Sequence, residues 1–334
     1  MKPFPILLLA LCDPVKALSL TGLIRRFKHE IPHARITLVA HGAAELFQDD
    51  ILVDEIVTVE GAIFNLKTLK TLSGLSRQTW GLVVDIGPTL ASRMMRAKTR
   101  FTLDPHDRAS PLMQICRALR IDIAEVMPAP AVSAAREAQA KALVGANSGR
   151  APLLIMAPGA SWLGRRWPTE RFAVLATRLM RDDGPLPRAR LLIAGDEADR
   201  DTAVALSMAT PRAQVLELTG KLDLLTAFAA FRHAAAFIGN DEIWLHLAAA
   251  AGTATFGLLG PSDDAEAPPG DNVHIIRGPR SFEDIIALDP KRKHTVCHML
   301  DLSIDAVYDR IDTALETPEA GDEEEEVMAY AQNL

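Results

Sequence analysis

The segment Ile6-Leu7-Leu8-Leu9-Ala10-Leu11-Cys12-Asp13-Pro14 joins an unbroken apolar run to a polar break near the start of the 334-residue chain. An apolar run of this length is typical of a parallel strand that is covered on both faces of its sheet. The residues after the break have a helical pattern as far as about Phe27. The segment therefore predicts a strand, a loop and a helix.

The same pattern recurs towards the C-terminus. Further runs of strand type lie at 35–40, 54–59 and 82–86, with helical segments between several of them. A second series has predicted strands at 153–157, 190–194, 215–218, 235–238 and 253–258 and predicted helices at 169–181, 197–208, 222–232 and 242–251. This alternation predicts an α/β fold with mainly parallel sheets, in which ligands bind at the C-terminal ends of the strands.

A break in composition separates the two series. Pro128 and Pro130 are followed by an Ala-rich helical stretch at 133–143 and a loop-like segment at 145–150. We therefore expect an N-terminal domain at 1–130, a linker region at 131–150 and a C-terminal domain at 151–315. Residues 316–334 contain seven acidic residues and no Lys or Arg, which predicts a disordered acidic tail.

The charge and the cysteine content indicate which kinds of partner and which cellular compartment to expect. The chain has 36 Lys and Arg against 43 Asp and Glu, so the net charge of −7 belongs to the tail and the body is neutral. A neutral body argues against a general nucleic-acid binder. Three widely spaced cysteines favour a reducing compartment, and we expect a cytoplasmic protein. The opening apolar run is too short to cross a bilayer and lacks the parts of a signal peptide.

The loop after the strand at 153–157 is the first candidate binding site. It contains Gly159, Ser161, Trp162, Arg165, Arg166 and Trp167 before a helix that starts at Thr169. Backbone N–H groups and the Ser161 hydroxyl can bind an anion there, with Arg165 or Arg166 as countercharge. The alternative is an ordinary turn with two solvated arginines. The two indoles favour a site, because exposed tryptophans are uncommon without a binding role.

The second candidate site follows the strand at 235–238. Asp241 is a plausible N-cap for a helix of small residues whose N-terminus would face the cleft. A single histidine on an apolar helix is more often a hydrogen-bonded structural residue than a catalytic one. For His246, this structural role is the alternative to a role in the site.

These motifs together resemble those of glycosyltransferase family 9, the lipopolysaccharide heptosyltransferases and their relatives. The resemblance is carried by Pro158-Gly159-Ala160-Ser161-Trp162, Arg165-Arg166-Trp167-Pro168, Asn240-Asp241, His246-Leu247-Ala248-Ala249-Ala250 and Phe256-Gly257-Leu258-Leu259-Gly260-Pro261. It implies a GT-B fold, in which two Rossmann-like domains face each other across a cleft. The N-terminal half would bind the acceptor and the C-terminal half a nucleotide diphosphate sugar.

The resemblance also implies the chemistry. The enzyme would invert the anomeric centre without a metal or cofactor and transfer a heptose-like sugar to lipopolysaccharide or another cell-envelope glycan or glycolipid. Asp13 would be the catalytic base. The donor diphosphate would be held by Ser161, Arg165, Asp241, Glu242 and His246, and Arg165 stands where relatives have a lysine.

Two departures from the family pattern bear on activity. Pro14 follows Asp13 and restricts its backbone. Glu242 and Ile243 stand where relatives have a small hydroxyl residue and glycine, so a carboxylate in the cleft would repel the diphosphate. Alternatively, Glu242 turns to solvent as an N-terminal helix acid. A catalytically degenerate GT-B protein that acts as a binding or assembly subunit is therefore the alternative to a transferase.

Other patterns have simpler interpretations. His294, Cys297 and His298 are close in sequence, but three mixed ligands without partners elsewhere are more often incidental than a metal site. Asp85 ends a predicted strand and either lines the acceptor cleft or caps a loop. Arg25, Arg26 and Lys28 would serve a peripheral contact with the inner membrane or form a solvated helix face.

Overall fold

A computed structural model describes residues 2–59, 66–145, 151–292 and 295–316. Within these ranges the chain forms two sheets, each with helices on both faces. The predicted α/β fold is confirmed, and its two parallel sheets come from the two series of strands that the sequence indicated.

The first sheet has five parallel strands in the order β3-β2-β1-β4-β5. They are β1 (Phe4–Ala10), β2 (Ala34–Ala40), β3 (Glu55–Thr58), β4 (Thr79–Asp85) and β5 (Arg96–Thr102). The helices of this half are α1 (Pro14–Glu30), α2 (Leu66–Leu75), α3 (Ala91–Met94), α4 (Pro111–Leu119) and α5 (Ala134–Val144).

The second sheet has six parallel strands in the order β11-β10-β9-β6-β7-β8. They are β6 (Leu153–Ala157), β7 (Arg190–Ile193), β8 (Val215–Glu217), β9 (Ala236–Asn240), β10 (Thr255–Leu259) and β11 (Val273–Arg277). The helices are α6 (Thr169–Leu179), α7 (Arg200–Met208), α8 (Leu224–Phe231), α9 (Ile243–Ala250), α10 (Phe282–Leu288) and α11 (Ile304–Glu316).

The opening strand β1 shows why its apolar run is unbroken. Ile6 and Leu8 pack into one hydrophobic core, whereas Leu7 and Leu9 pack into another on the opposite face of the sheet. Successive side chains of a strand point to opposite faces, so a strand that is covered on both sides needs apolar residues at every position.

The break after β1 starts α1. The Asp13 carboxylate accepts a hydrogen bond from the Lys16 N–H at 3.0 Å, and Pro14 occupies the first turn. Pro14 fits there because the first helical N–H has no partner within the helix. The backbone restriction that Pro14 imposes is therefore compatible with an extended Asp13 at the N-cap, where its ψ is 157°.

Several elements differ from the sequence prediction. Strands β5 and β11 were not predicted, and both lie at an edge of their sheet. Asp241 is not the N-cap of α9, because Glu242 takes that position with extended backbone angles. The domain boundaries stay predictions, and the tail from 317 lies outside the described residues. The helix predicted at 133–143 is present as α5, which packs against α8 of the second half.

Candidate functional site

A cavity of about 340 Å³ lies between the two halves, where the loops that follow the strands of both sheets meet. Asp13 and Lys16 line it from the first half, and Arg165, Asp241, Glu242 and His246 line it from the second. The structure thus brings five of the six predicted site residues to one cavity. Much of the remaining wall is apolar and includes Leu18, Leu112, Met127, Ala249 and Pro268.

Asp13 is the acidic group on the first half. It follows β1, and its carboxylate is half-exposed and lies 3.5 Å from the Lys16 ammonium. One turn of helix places these two side chains on the same face. Asp13 is therefore open to the cavity, although one of its oxygens already caps α1.

Ser161 and Glu242 are in direct contact. Both the N–H and the hydroxyl of Ser161 donate hydrogen bonds to the same Glu242 oxygen, at 2.8 and 2.7 Å. Strands β6 and β9 are parallel neighbours, so the loops after them meet at one edge of the sheet. The predicted anion donors of the Ser161 loop are thus occupied by a carboxylate of the chain itself.

The side chain of Glu242 does not turn away to solvent as a simple helix-start acid. It is half-buried, it makes no cap hydrogen bond to its own helix, and it reaches across to the neighbouring loop. The alternative hypothesis from the sequence, in which the Glu242 side chain turns to solvent, is therefore wrong.

Asp241 is the most buried acid of the site. It lies 3.6 Å from the Arg165 guanidinium and 3.6 Å from the His246 ring, measured from its two carboxylate oxygens. Burial raises the pKa of Asp241, but the contact with His246 and the charge of Arg165 outweigh it and lower the pKa to about 2. Asp241 therefore remains ionised at neutral pH, and it fixes Arg165 and His246 beside the cavity.

Only one arginine of the loop pair lines the cavity. Arg166 instead donates to the Ala160 carbonyl at 2.6 Å and lies 3.8 Å from the Asp199 carboxylate. Asp199 also fits tightly against Gly159, where an added Cβ would lie 2.0 Å from the Asp199 carboxyl carbon. Arg166 thus stabilises the loop, whereas Arg165 lies on the side of the loop that faces the cavity.

The two tryptophans of the loop are not exposed. Trp162 is 9% exposed and Trp167 is fully buried, so the expectation that exposed indoles mark a binding site in this loop is wrong. The Trp167 indole N–H donates to the Leu302 carbonyl at 2.9 Å, and its backbone N–H donates to Asn240 at 3.0 Å. Both rings pack inside the second half, and the Trp167 contacts fix the course of the loop.

Three further charged residues line the cavity and were not singled out from the sequence. They are Lys16, Glu266 and Arg292. The spacing of Lys16 from Asp13 on one helix was a signal that could have indicated it. Glu266 and Arg292 lie in connecting segments far away along the chain, and no local pattern marks them.

The remaining sequence candidates have structural roles. Asp85 is fully buried and accepts hydrogen bonds from the Gly87 and Thr89 N–H groups at 3.0 and 3.1 Å, so it caps a loop. Arg26 and Lys28 on α1 pair with Glu30 and Asp54 at 3.0 and 2.8 Å, and Arg25 donates to a backbone carbonyl. These three basic residues are engaged within the protein.

Among the described residues, no group of three or more His, Cys, Asp or Glu side chains is arranged to hold a metal ion. His294 lies outside those residues, while His298 pairs with Asp289 at 3.0 Å and Cys297 donates to the Arg166 carbonyl. No helix in the part of the chain that the structure describes is both long and apolar enough to span a membrane.

The chain resembles known proteins in both its sequence and its structure. Residues 97–283, more than half of the chain, match the family model described as glycosyltransferase family 9 (heptosyltransferase). No match was found among curated proteins.

Solved structures give a consistent result. A family 9 glycosyl transferase from Veillonella parvula matches 94% of this chain and 98% of its own, with a TM-score of 0.76 and 17% identity. The E. coli ADP-heptose LPS heptosyltransferase II matches 93% and 98%, with a TM-score of 0.68 and 19% identity. E. coli heptosyltransferase WaaC with ADP matches 92% and 99%, with a TM-score of 0.67 and 15% identity. The predicted GT-B fold is confirmed.

Proposed function

The chain belongs to glycosyltransferase family 9, and on this premise we propose that it transfers a sugar from a nucleotide diphosphate donor to a cell-envelope glycan or glycolipid. A heptose-like sugar and a lipopolysaccharide acceptor are the specific form of this proposal. The observation that carries it is the single cavity in which Asp13 of the first half faces Arg165 and His246 of the second.

Each side of the cavity supplies one part of the reaction. Asp13 is half-exposed and can accept the proton of an acceptor hydroxyl as that oxygen attacks the anomeric carbon. Attack from the side opposite the leaving diphosphate inverts the anomeric centre. Negative charge then develops on the diphosphate, and Arg165 and the donor groups of Ser161 stabilise it. We propose that these cationic and N–H groups do so without a metal ion or cofactor.

Glu242 sets a condition on this mechanism. Its carboxylate occupies both donor groups of Ser161, and a phosphate oxygen needs the same groups. Donor binding therefore requires that Glu242 exchange for the phosphate. This exchange distinguishes the proposal from the degenerate alternative, in which the contact with Ser161 would be permanent.

The setting of the reaction follows from its substrates. We propose that the protein works in the cytoplasm, where nucleotide sugars are made, and meets its acceptor at the inner membrane. Its partners would be the nucleotide sugar and the glycan or glycolipid acceptor, and nucleic acid is not among them.

A calorimetric titration tests donor binding. The purified chain is titrated with nucleoside diphosphates and their sugar conjugates, and the variants Arg165→Ala and Arg181→Ala are compared. Arg181 is the matched control, since it is exposed and, among the described residues, its side chain pairs only with Asp183, at 3.0 Å. We expect binding that Arg165→Ala weakens about 10-fold or more and Arg181→Ala leaves unchanged, since a charged hydrogen-bond partner contributes roughly 1.5–3 kcal/mol.

A donor screen with a mass readout on envelope acceptors tests the transfer itself. A new acceptor mass with one nucleotide sugar would identify the donor. Binding of nucleotides without transfer to any acceptor, or no nucleotide binding by either the protein or its Glu242→Gln variant, would contradict the transferase and support the degenerate alternative.

A further inference from the structure

One segment of the chain has a charge opposite to that of the whole protein. Between Glu60 and Asp104 the sequence contains seven basic residues and a single acid, Asp85. Asp85 is fully buried, so it contributes no surface charge. The basic residues are Lys67, Lys70, Arg77, Arg93, Arg96, Lys98 and Arg100.

These residues lie on α2, in the turn that follows it, on α3 and on the edge strand β5. The side chains of Arg93, Arg96 and Lys98 are exposed, and no hydrogen bond or ion pair joins any of these side chains to another described residue. The basic residues of α1 differ in this respect, because Arg26 and Lys28 are neutralised by neighbouring acids. The side-chain charges of Arg93, Arg96 and Lys98 are therefore not neutralised by any acid among the described residues.

Apolar side chains are exposed beside these charges. Leu69, Leu90 and Met94 are 37%, 59% and 45% exposed. All three line one shallow cavity of about 230 Å³, together with Leu72, Pro88 and Ala91. Exposed apolar residues that cluster at one place and lie among polar ones mark an interaction surface.

We infer that this surface, formed by Leu69, Leu90, Met94, Arg93, Arg96 and Lys98, docks the protein on an anionic lipid bilayer. The apolar side chains enter the headgroup region, and the basic side chains contact the lipid phosphates. The inference rests on the inner-membrane contact of the proposed function and assigns it a surface, whereas the vesicle measurement needs no transfer activity and can fail separately from the proposed reaction.

The composition of the surface favours a bilayer over other partners. A second copy of the chain would bring two unpaired basic surfaces together, which like-charge repulsion opposes. Single-stranded nucleic acid is usually held by exposed aromatic rings that stack on bases, whereas the exposed apolar residues here are aliphatic. Aliphatic residues flanked by Lys and Arg fit the interface of an anionic membrane.

Vesicle co-sedimentation tests the inference without any activity measurement. The full chain is mixed with phosphatidylcholine vesicles with and without phosphatidylglycerol, at low and high salt. We expect binding only to the anionic vesicles, and weaker binding at high salt because salt screens the charges.

Two variants and a matched control assign the binding to this surface. Replacing Arg93, Arg96 and Lys98 together by Gln should weaken vesicle binding about 100-fold, because each basic residue near an anionic surface strengthens it roughly five-fold. Leu90→Ser should weaken it without a change in charge. The control replaces the exposed Arg181, Arg188 and Arg200 of the second half by Gln, with circular dichroism of all variants to verify folding.

Several results would overturn the inference. These are equal binding to uncharged vesicles, equal loss in the control variant, or tighter binding to single-stranded DNA than to vesicles. Vesicle binding that appears only when the chain is ended after Leu315 would also overturn the inference, because the acidic tail, and not a bilayer, would then be the partner of this surface in the full chain. The variant in which Arg93, Arg96 and Lys98 are all replaced by Gln could fail to fold. In that case, unchanged vesicle binding by Leu90→Ser would still refute the proposed insertion of the apolar side chains into the bilayer.

Discussion

Replacing Glu242 by Gln should tighten the binding of nucleoside diphosphates. Glu242 occupies the two donor groups of Ser161 at 2.8 and 2.7 Å, so a phosphate that takes these groups must come close to the carboxylate or displace it. Two unit charges about 4 Å apart repel by about 4 kcal/mol at an effective dielectric of about 20. Glu242 can swing partly away, so we expect a gain of about 1–2 kcal/mol, or roughly 5- to 30-fold in affinity.

Isothermal titration calorimetry at constant salt measures this gain. Glu170→Gln is the matched control, because Glu170 is an exposed acid in the first turn of α6 and does not line the cavity. The gain should be specific to Glu242→Gln. An unchanged or weaker affinity of Glu242→Gln, with Ser161 still needed for binding, would refute the idea that this carboxylate competes with the donor.

Three further predictions concern the base, the buried acid and the packing of α1. Asp13→Asn should keep the N-cap of α1 and the fold but lower kcat about 100- to 10,000-fold. Asp122→Asn changes another exposed cap residue and should leave kcat unchanged, and turnover assays compare the two variants. The folded-state pKa of Asp241 is lowered to about 2, so its stabilising charge is fully present above about pH 4 and is lost as the pH falls towards 2. Urea titrations measure the free energy of unfolding of wild type and of Asp241→Asn at each pH. The difference between the two should decrease by about 2 kcal/mol from about pH 4 to about pH 2, and a difference that stays constant would contradict the assigned pKa. Gly22→Ala should destabilise by about 1–3 kcal/mol because its Cβ would lie 2.3 Å from the Met127 carbonyl oxygen, whereas Gly74→Ala, with no atom within 4 Å, should stabilise by about 0.5–1 kcal/mol; thermal unfolding compares the two.

The sequence could predict every central strand and the edge strands β3 and β8, but not the edge strands β5 and β11, and β5 shows the physical reason. Buried parallel strands such as β1 and β6 require apolar residues at every position, so they appear as unbroken apolar runs. Strand β5 has one covered side at most and carries Arg96, Lys98 and Arg100, so nothing in its pattern resembles a buried strand. Two of these basic residues, Arg96 and Lys98, also belong to the proposed membrane surface.

The site could be predicted in part. The sequence placed Ser161 and Asp241 after strands, and parallel strands bring such loops to one edge. It could not show that β6 and β9 are neighbours, since two other strands separate them along the chain. The direction of Glu242 depends on this pairing and on its extended backbone, and Trp162 and Trp167 are buried by contacts with distant segments. None of these contacts has a local sequence signature.

Two sets of contacts oppose the entry of a donor into the cavity, and they differ in strength. Arg108 of the first half contacts Asp263 and Glu283 of the second at 2.8 and 2.9 Å, but the Arg108 and Glu283 side chains are mostly exposed, so solvent screens these pairs. Glu242 is half-buried and accepts two charge-assisted hydrogen bonds, each of which contributes more than an exposed ion pair. The movement of one side chain should therefore limit donor binding more than the separation of the two halves. Arg108→Gln should change nucleotide affinity less than Glu242→Gln does in the same calorimetric assay. A larger effect of Arg108→Gln would show that opening of the cleft, and not displacement of Glu242, controls access.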